Sequence, residues 1–470
     1  MTVTVRYSSC KHAREHLRGN RRDPNYRQYM LMNILSPHPH KQDAAGEPER
    51  GSDCLALDGG GIRLHQPDGG YLSAMTPPIH RAGSLATPAP VNQIQPRRMS
   101  GLRARIAGFV AIIQSILLVA HWFVYETWTV FRADPDQAVI TILRATLILL
   151  CVSFVAATLL AHRYSNSLVR LFYRIAATWL GVFNFFFVAA CLCWMVYLGG
   201  RVAGLHLERP IIADTMFALA VLAAAGGVLN ARWVRVKKIA VSLPNLPISW
   251  RGRVAALVSD VHLGHVNGSR FMRRIVAMLG GLRPDIVFIT GDLYDGSKVD
   301  PDEFAAPWKK LSAKFGTYFV TGNHEEFSDP TKYLDAIKRS GIQVLDNEKV
   351  IVDGLQVVGV HYGDSAKPER FRAILKHADL DRNRASILLS HVPHELPIAE
   401  KAGISLQLSG HTHGGQIFPF TWFTTRVFGE YTYGFKRFGE LMVYTSSGAG
   451  TWGPPMRVGT RPEIVLIQFE

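Results

Sequence analysis

Five short motifs in the second half of the chain gather side chains that bind metal ions. They are Asp260-Val-His262, Gly291-Asp292-Leu-Tyr-Asp295-Gly, Gly322-Asn323-His324-Glu325, Ser390-His391 and Gly410-His411-Thr-His413-Gly-Gly. Together they spell a binuclear metal site. Carboxylate, amide oxygen and imidazole in one set suit Mn, Fe, Zn or a similar divalent ion rather than a soft thiolate site. Two such ions roughly 3.5–4 Å apart clamp a phosphoryl group and supply hydroxide at neutral pH, with one carboxylate bridging them. Any one of these histidines alone reads as a satisfied polar or surface residue. Seven ligand-type side chains falling into recognisable motifs in this order do not.

A site of this kind needs a rigid frame, and short β-rich runs precede nearly every motif. Residues 254–258 lead to Asp260, 286–290 to Asp292, 317–321 to Asn323, 387–389 to His391 and 406–408 to His411. Apolar runs of strand length ending in turn residues are the signature of buried central strands. Helical patterns over 270–282 and 332–340 lie between them. Donors at strand carboxyl ends, with helices between strands, place the site on one rim of a layered α/β sheet fold. Gly291, Gly322 and Gly410 each precede a donor. Glycine there permits a sharp turn and a close approach of backbone to metal or phosphate.

The order of the five motifs resembles the calcineurin-like metallophosphoesterase family over about residues 250–470. The resemblance implies a layered β-sandwich flanked by helices and two divalent metal ions. By position it makes Asp260, His262, Asp292 and His413 ligands of the first ion. Asp292, Asn323, His391 and His411 become ligands of the second, with Asp292 as the bridge. His324 matches the histidine that contacts phosphate and protonates the leaving oxygen, and Asp295 the carboxylate that orients it. A carboxylate in that place would fix the imidazole tautomer and raise its basicity. No covalent enzyme intermediate is required. His265, His361 and His394 receive no role. The stretches Gly410-His-Thr-His-Gly-Gly-Gln-Ile-Phe-Pro419 and Ser446-Ser-Gly-Ala-Gly-Thr-Trp-Gly-Pro-Pro455 are similar to bacterial transmembrane members of that family.

Ahead of the catalytic half stand four apolar stretches, about 106–131, 139–161, 175–199 and 211–229. Each approaches or exceeds the roughly 20 residues that cross a bilayer. The expected organisation is therefore a four-helix transmembrane region at 99–231, a basic linker at 232–250 and the metallophosphoesterase domain at 251–470. Residues 1–98 show no sustained period and are rich in Pro, His, Arg and Gly. They are expected to be either disordered or an extension ahead of a natural start at Met99. The glycine loop at 57–63 resembles that of patatin-like lipases, but no Gly-x-Ser-x-Gly follows it.

The net charge of +15 is uneven. Residues 241–470 carry 26 basic and 24 acidic side chains, a net of +2, so the basic excess lies beside the apolar stretches. That near-neutral catalytic half argues against a nucleic-acid substrate. Arg97, Arg98, Arg103 and Arg105 precede the first span, Arg163, Arg170 and Arg174 lie between the second and third, and Arg232, Arg235, Lys237 and Lys238 follow the fourth. By the positive-inside rule both chain ends and the catalytic half face the cytoplasm, in an inner (cytoplasmic) membrane protein. The five cysteines form neither a disulfide framework nor a zinc-finger spacing. Asp214, Asn184 and Gln114 are polar residues within spans. Asp214 lies near a span end and reaches water on the simpler reading, and no charge ladder suited to a pump is present.

The leading expectation is a membrane-anchored phosphodiesterase or pyrophosphatase acting on a phosphoester substrate, with lipid-linked substrates such as a lipid A precursor as candidates. The alternatives are a phosphoprotein phosphatase and a four-span sensor or transport protein with a metal-binding cytoplasmic domain. Nine aromatic residues between Phe418 and Phe438, with Arg426, Lys436 and Arg437 among them, suit a loop at a membrane interface. A β-hairpin that buries those aromatics fits the same pattern.

Overall fold

The computed structural model describes residues 96–132, 136–327 and 330–470. The expectations for the segment ahead of residue 96, including the glycine loop at 57–63, lie outside them. Four long helices come first: α1 (Pro96–Phe131), α2 (Gln137–Arg163), α3 (Ser167–Val202) and α4 (Arg209–Ala231). All four are long and apolar enough to cross a membrane. Their outer faces carry exposed Ile116, Leu149, Met195 and Leu222, an apolar surface that water would penalise and lipid would not. The helix starts are local sequence features. Asp136 accepts the Ala138 amide at the head of α2, and Asn166 accepts the Val169 amide at the head of α3. The polar residues in the spans hold neighbours rather than form a path. Asp214 pairs with Arg132, Gln114 donates to the Cys151 carbonyl, and Asn184 donates to the Phe418 carbonyl.

The remainder is a two-sheet sandwich. One sheet has the order β1 (Arg235–Val241), β12 (Glu463–Phe469), β2 (Val254–Val258), β3 (Ile286–Thr290), β4 (Thr317–Val320), β5 (Gln343–Val344). The other has the order β10 (Gly434–Phe438), β11 (Leu441–Thr445), β9 (Leu406–Ser409), β8 (Ser386–Leu389), β7 (Leu355–Gly359), β6 (Glu348–Val352). Strands β2, β3 and β4 run parallel, as do β7, β8 and β9. Every residue of β3 is buried, as expected for a parallel strand covered on both faces. Leu257, Phe288, Val320, Ile387, Leu408 and Ile467 meet between the sheets. Outside the first sheet pack α5 (Ser269–Leu282) and α6 (Pro330–Arg339), through Met272, Ile275, Leu279, Tyr333 and Ile337. Outside the second pack α7 (Pro368–His377) and α8 (Leu396–Ala402), through Phe371, Leu375, Leu396 and Ala399.

The stretch expected as a basic linker is corrected in part. Residues 235–241 form β1, paired in parallel with β12 at the sheet edge. Lys237 stands over the Tyr433 and Tyr444 rings, at 4.5 and 5.3 Å. Part of the basic excess is thus spent on cation–π packing within the sandwich. The aromatic stretch divides between the two expectations. Phe420–Phe428 is a helix, α9, with no buried residue, while Gly434–Thr445 is a hairpin.

The sandwich is docked against the helix bundle. Ile417 and Met456 pack with Phe185, Ala189, Ala220 and Ala224 of α3 and α4. The Arg457 amide donates to the Gly227 carbonyl, and Asn230 donates to the carbonyls of Arg457 and Thr460. A Cβ on Gly227 would stand 2.6 Å from Val458 Cγ2, so helix and loop approach too closely for a side chain. Gly227→Leu is therefore expected to lower stability by about 1–3 kcal/mol and to open the 416–458 loops to protease. Thermal unfolding and limited proteolysis in detergent check this. Unchanged behaviour on both would contradict the docking.

Candidate metal centre

The expected donors leave the sheets at their carboxyl ends. Asp260 and His262 follow β2, Asp292 follows β3, Asn323 follows β4, His391 follows β8 and His411 follows β9. Five of these seven donors turn inward through an unusual backbone. Asp260, His262, Asp292, His411 and His413 have φ of 51°, 49°, 53°, 69° and 50°. Non-glycine residues in the left-handed region cost about 1 kcal/mol or more each and persist where surroundings over-determine them. Two glycines let the loops close. A Cβ on Gly322 would lie 2.1 Å from Asp292 Oδ1, and one on Gly410 would lie 1.9 Å from Ser259 Oγ.

Six of the seven expected donors, with His324, form three overlapping groups. Asp260, His262 and His413 form one, His262, Asp292 and His324 a second, and Asp292, His391 and His411 a third, with ligand atoms in each group within 4.8 Å of one another. Asn323 joins the last through Oδ1, 3.2 Å from His391 Nε2 and 3.0 Å from His411 Nδ1. Asp292 Oδ2 faces His391 Nε2 at 3.2 Å, His262 Nε2 at 3.7 Å and His324 Nε2 at 4.0 Å. Its Oδ1 accepts the His324 amide at 2.9 Å. One carboxylate therefore stands between two sets of imidazoles.

The electrostatics of this cluster fit a bound cation. His262 Nε2 and His413 Nε2 face each other at 2.9 Å, an arrangement natural for two lone pairs directed at one ion. Burial holds both imidazoles far below their usual range, and pushes His411 down to about 3. They are neutral, the form that ligates metal. Burial raises Asp260 to about 6, with Asp292 adding to the rise. Burial alone would also raise Asp292, but the charges of His391 and His324 outweigh it and hold the carboxyl well below its ordinary range. Burial alone would lower His391, yet Asp292 lifts it to about 9. The Nδ1 of His391 lies 2.7 Å from the Thr290 carbonyl, which fixes its hydrogen there and aims Nε2 at the cluster.

One expected contact differs in its atoms. His324 Nδ1 meets the backbone carbonyl of Asp295 at 2.9 Å, not its carboxylate. The carboxylate is turned away and taken by Ser297, whose amide donates at 2.8 Å and whose hydroxyl also donates to it. Asp295 still sets the tautomer of His324, but through its main chain. The three histidines left without a role lie around the centre. His265 is buried beside Ser297. His361 accepts the Gly363 amide and faces Glu326. His394 stands 5.9 Å from the Phe428 ring, with burial pushing it down to about 4.

Sequence reasoning passed over two buried charges. Glu325 accepts the amides of Asp292, Gly322 and Tyr294 at 3.0, 2.7 and 3.1 Å, clamping two donor loops together. Its motif was in view, but the partners it binds are set by the fold. Arg457 is fully buried and donates to the His413 carbonyl at 2.9 Å and the Gly450 carbonyl at 2.6 Å. Burial lowers its guanidinium to about 10. Aromatic rings frame the mouth: Phe327 and Trp452 lie 4.5 and 5.6 Å from His324, and Phe428 lies 6.0 Å from His411.

Comparison with known proteins agrees with this geometry. Residues 254–415 match the family described as calcineurin-like phosphoesterase, a segment that runs from β2 through His413. An uncharacterized metallophosphoesterase of Campylobacter jejuni is 32% identical over 270 residues, covering 56% of this chain and 70% of that one. A transmembrane protein with metallophosphoesterase domain from Danio rerio is 32% identical over 308 residues, covering 60% of this chain and 69% of that one. An uncharacterized metallophosphoesterase of Aquifex aeolicus is 30% identical over 257 residues, covering 54% of this chain and 98% of that one. With four membrane-length helices ahead of a donor set compatible with two metals, the chain belongs to the calcineurin-like metallophosphoesterases and is a membrane-associated phosphoester hydrolase.

Proposed function

We propose that this protein hydrolyses lipid-linked phosphodiesters or pyrophosphates at the cytoplasmic face of the membrane. The reading of the centre rests on one observation: two of the three donor groups share Asp292, whose Oδ2 faces His391 on one side and His262 on the other. Asp260, His262, Asp292 and His413 would hold one divalent ion, and Asp292, Asn323, His391 and His411 the other. Mn, Fe and Zn all suit that donor set. Held there, two such ions would neutralise phosphoryl charge and activate water for in-line displacement. The chain's own residues do the rest. His324 donates its Nδ1 hydrogen to the Asp295 carbonyl, so Nε2 faces the centre and, in the imidazolium form, carries the proton delivered to the leaving oxygen. Glu325 keeps the loops of Asp292 and His324 in register. Phe327 and Trp452 shield His324 from bulk water.

The lipid assignment draws support from where α9 lies. Its last residue, Phe428, sits 6.0 Å from the His411 ring. The segment just before it is tied to α3, because Asn184 donates to the Phe418 carbonyl at 2.9 Å. Helix α3 has 36 residues and is about 54 Å long, well beyond the roughly 30 Å of bilayer hydrocarbon. Its first turns, with Arg170 and Arg174, run beside the sandwich, and Asn184 falls within the apolar part. Phe418, Phe420, Trp422 and Phe423 are each about half exposed, with Arg426 over the Trp422 ring. An aromatic helix with a basic residue, running from a donor histidine to a membrane span, suits a path for an amphiphile whose tails stay in lipid. The basic residues at the bundle ends nearest the sandwich support a cytoplasmic face by the positive-inside rule.

Two measurements check this reading. Manganese-dependent hydrolysis of bis(p-nitrophenyl) phosphate is expected to exceed that of p-nitrophenyl phosphate, and to fall at least about 100-fold in Asp292→Asn. A clear monoester preference would favour a phosphatase instead. In proteoliposomes, joint Trp422→Ser and Phe423→Ser substitution is expected to slow a lipid-anchored diester at least about tenfold, matching roughly 2 kcal/mol of lost apolar contact. Turnover of the soluble diester stays unchanged. Equal effects on the two substrates, or none on either, would sink the lipid assignment.

A further inference from the structure

We infer that His265 is a positioning residue that ties the turn between α2 and α3 to the backbone orienting His324, so that the membrane bundle sets the position of the proton donor. The inference rests on His324 being that donor. His265 is buried, with 1% of its surface exposed. Its Nε2 lies 3.1 Å from the Tyr164 carbonyl, in the turn between the second and third spans. Since a carbonyl only accepts, Nε2 carries a hydrogen. Its Nδ1 lies 3.0 Å from Ser297 Oγ. Ser297 in turn grips the Asp295 carboxylate through its amide, and its single hydroxyl hydrogen lies between that carboxylate and the His265 Nδ1 lone pair. Asp295 then presents its carbonyl to His324 Nδ1 at 2.9 Å. The route from span to proton donor is thus Tyr164, His265, Ser297, Asp295, His324, each joined to the next by a hydrogen bond or by shared backbone.

The surroundings make this route stiff. A Cβ on Gly264 would stand 1.7 Å from Asp295 Oδ2, so the carboxylate packs directly on the strand-end loop that carries His262 and His265. Arg174 of α3 donates to the His265 carbonyl at 2.8 Å and the Val266 carbonyl at 3.2 Å. The Lys298 amide donates to the Ala161 carbonyl of α2 at 3.1 Å, and its ammonium to the Arg163 carbonyl at 3.3 Å. The Tyr173 ring of α3 lies 5.6 Å from the His265 ring. Both loops that flank His324's support are therefore tied to the adjoining ends of α2 and α3 and the turn between them. A purely adhesive interface would not need a buried imidazole with both nitrogens engaged, one toward the bundle and one toward the site.

The test uses the full chain in lipid nanodiscs with manganese, and two diesters differing only in leaving group, p-nitrophenolate and phenolate. His265→Phe keeps a ring against Tyr173 and removes both hydrogen bonds. Ser297→Ala makes the smaller cut and covers the case in which His265→Phe fails to fold. Either variant is expected to lower kcat for the phenolate diester about tenfold, and for the p-nitrophenolate diester less than about twofold, with KM and bound manganese unchanged. His324→Ala should show the same leaving-group bias more strongly, on the order of 100-fold or more for phenolate. Adding His265→Phe to it should cost nothing further. Equal loss on both diesters, or extra loss in the His324→Ala background, would make His265 a merely structural residue and overturn the inference. If His324→Ala is biased and His265→Phe and Ser297→Ala are not, this inference alone falls. If His324→Ala shows no bias, the proton-donor reading falls and takes this inference with it.

Discussion

Everything at the centre depends on one buried carboxylate being shared. Asp292 Oδ2 lies within 4.0 Å of three imidazoles, while Oδ1 is fixed by the His324 amide. A carboxylate this deep is stable only where positive charge or hydrogen bonds replace its lost water. The chain supplies that by bringing five loops to one rim of the sandwich. Gly322 lacks the Cβ that would strike Asp292, and Glu325 binds the amides of the two loops that approach most closely. Left-handed backbone at five donors is the conformational cost of turning them inward. The all-buried strands behind them absorb it, since burying one large apolar side chain contributes about 1.5–3 kcal/mol.

The same rim is where the sandwich meets the bundle. Arg457 joins these roles in one residue: its guanidinium holds the His413 carbonyl, and its amide binds Gly227 of α4. Ile417, four residues beyond His413, packs between α3 and α4. The loops that carry donors are thus the loops that touch the membrane helices. An aromatic helix then continues from His411 toward the apolar part of α3. Membrane attachment in this protein is built into the walls of the centre, not appended through a free tether.

Much of this was legible from residues alone. The strands at 254–258 and 286–290 were readable because they are short apolar runs ended by turn residues. The candidate donors could be picked out because each motif is local, and the spans because a bilayer demands length and apolarity together. What stayed hidden depends on partners distant in sequence. Nothing near Glu325 or Arg457 reveals that their charges are buried, because the amides and carbonyls that satisfy them come from other loops. Strand β1 looked like a basic linker, since its pairing partner β12 lies more than two hundred residues away. Asp295 looked like a side-chain partner for His324, and only the packing of its carboxylate against Gly264 and Ser297 leaves the carbonyl to serve. The aromatic segment held both a helix and a hairpin, which a period-based reading of so short a stretch does not separate.

The most direct test of the shared-carboxylate account is electron paramagnetic resonance of the full chain loaded with Mn(II), together with its metal content. The account requires two manganese ions per chain and an exchange-coupled spectrum, because one carboxylate links the two donor sets. Asp292→Asn should lose the coupling. One ion per chain at saturation, or two ions with an isolated-ion spectrum, would contradict it.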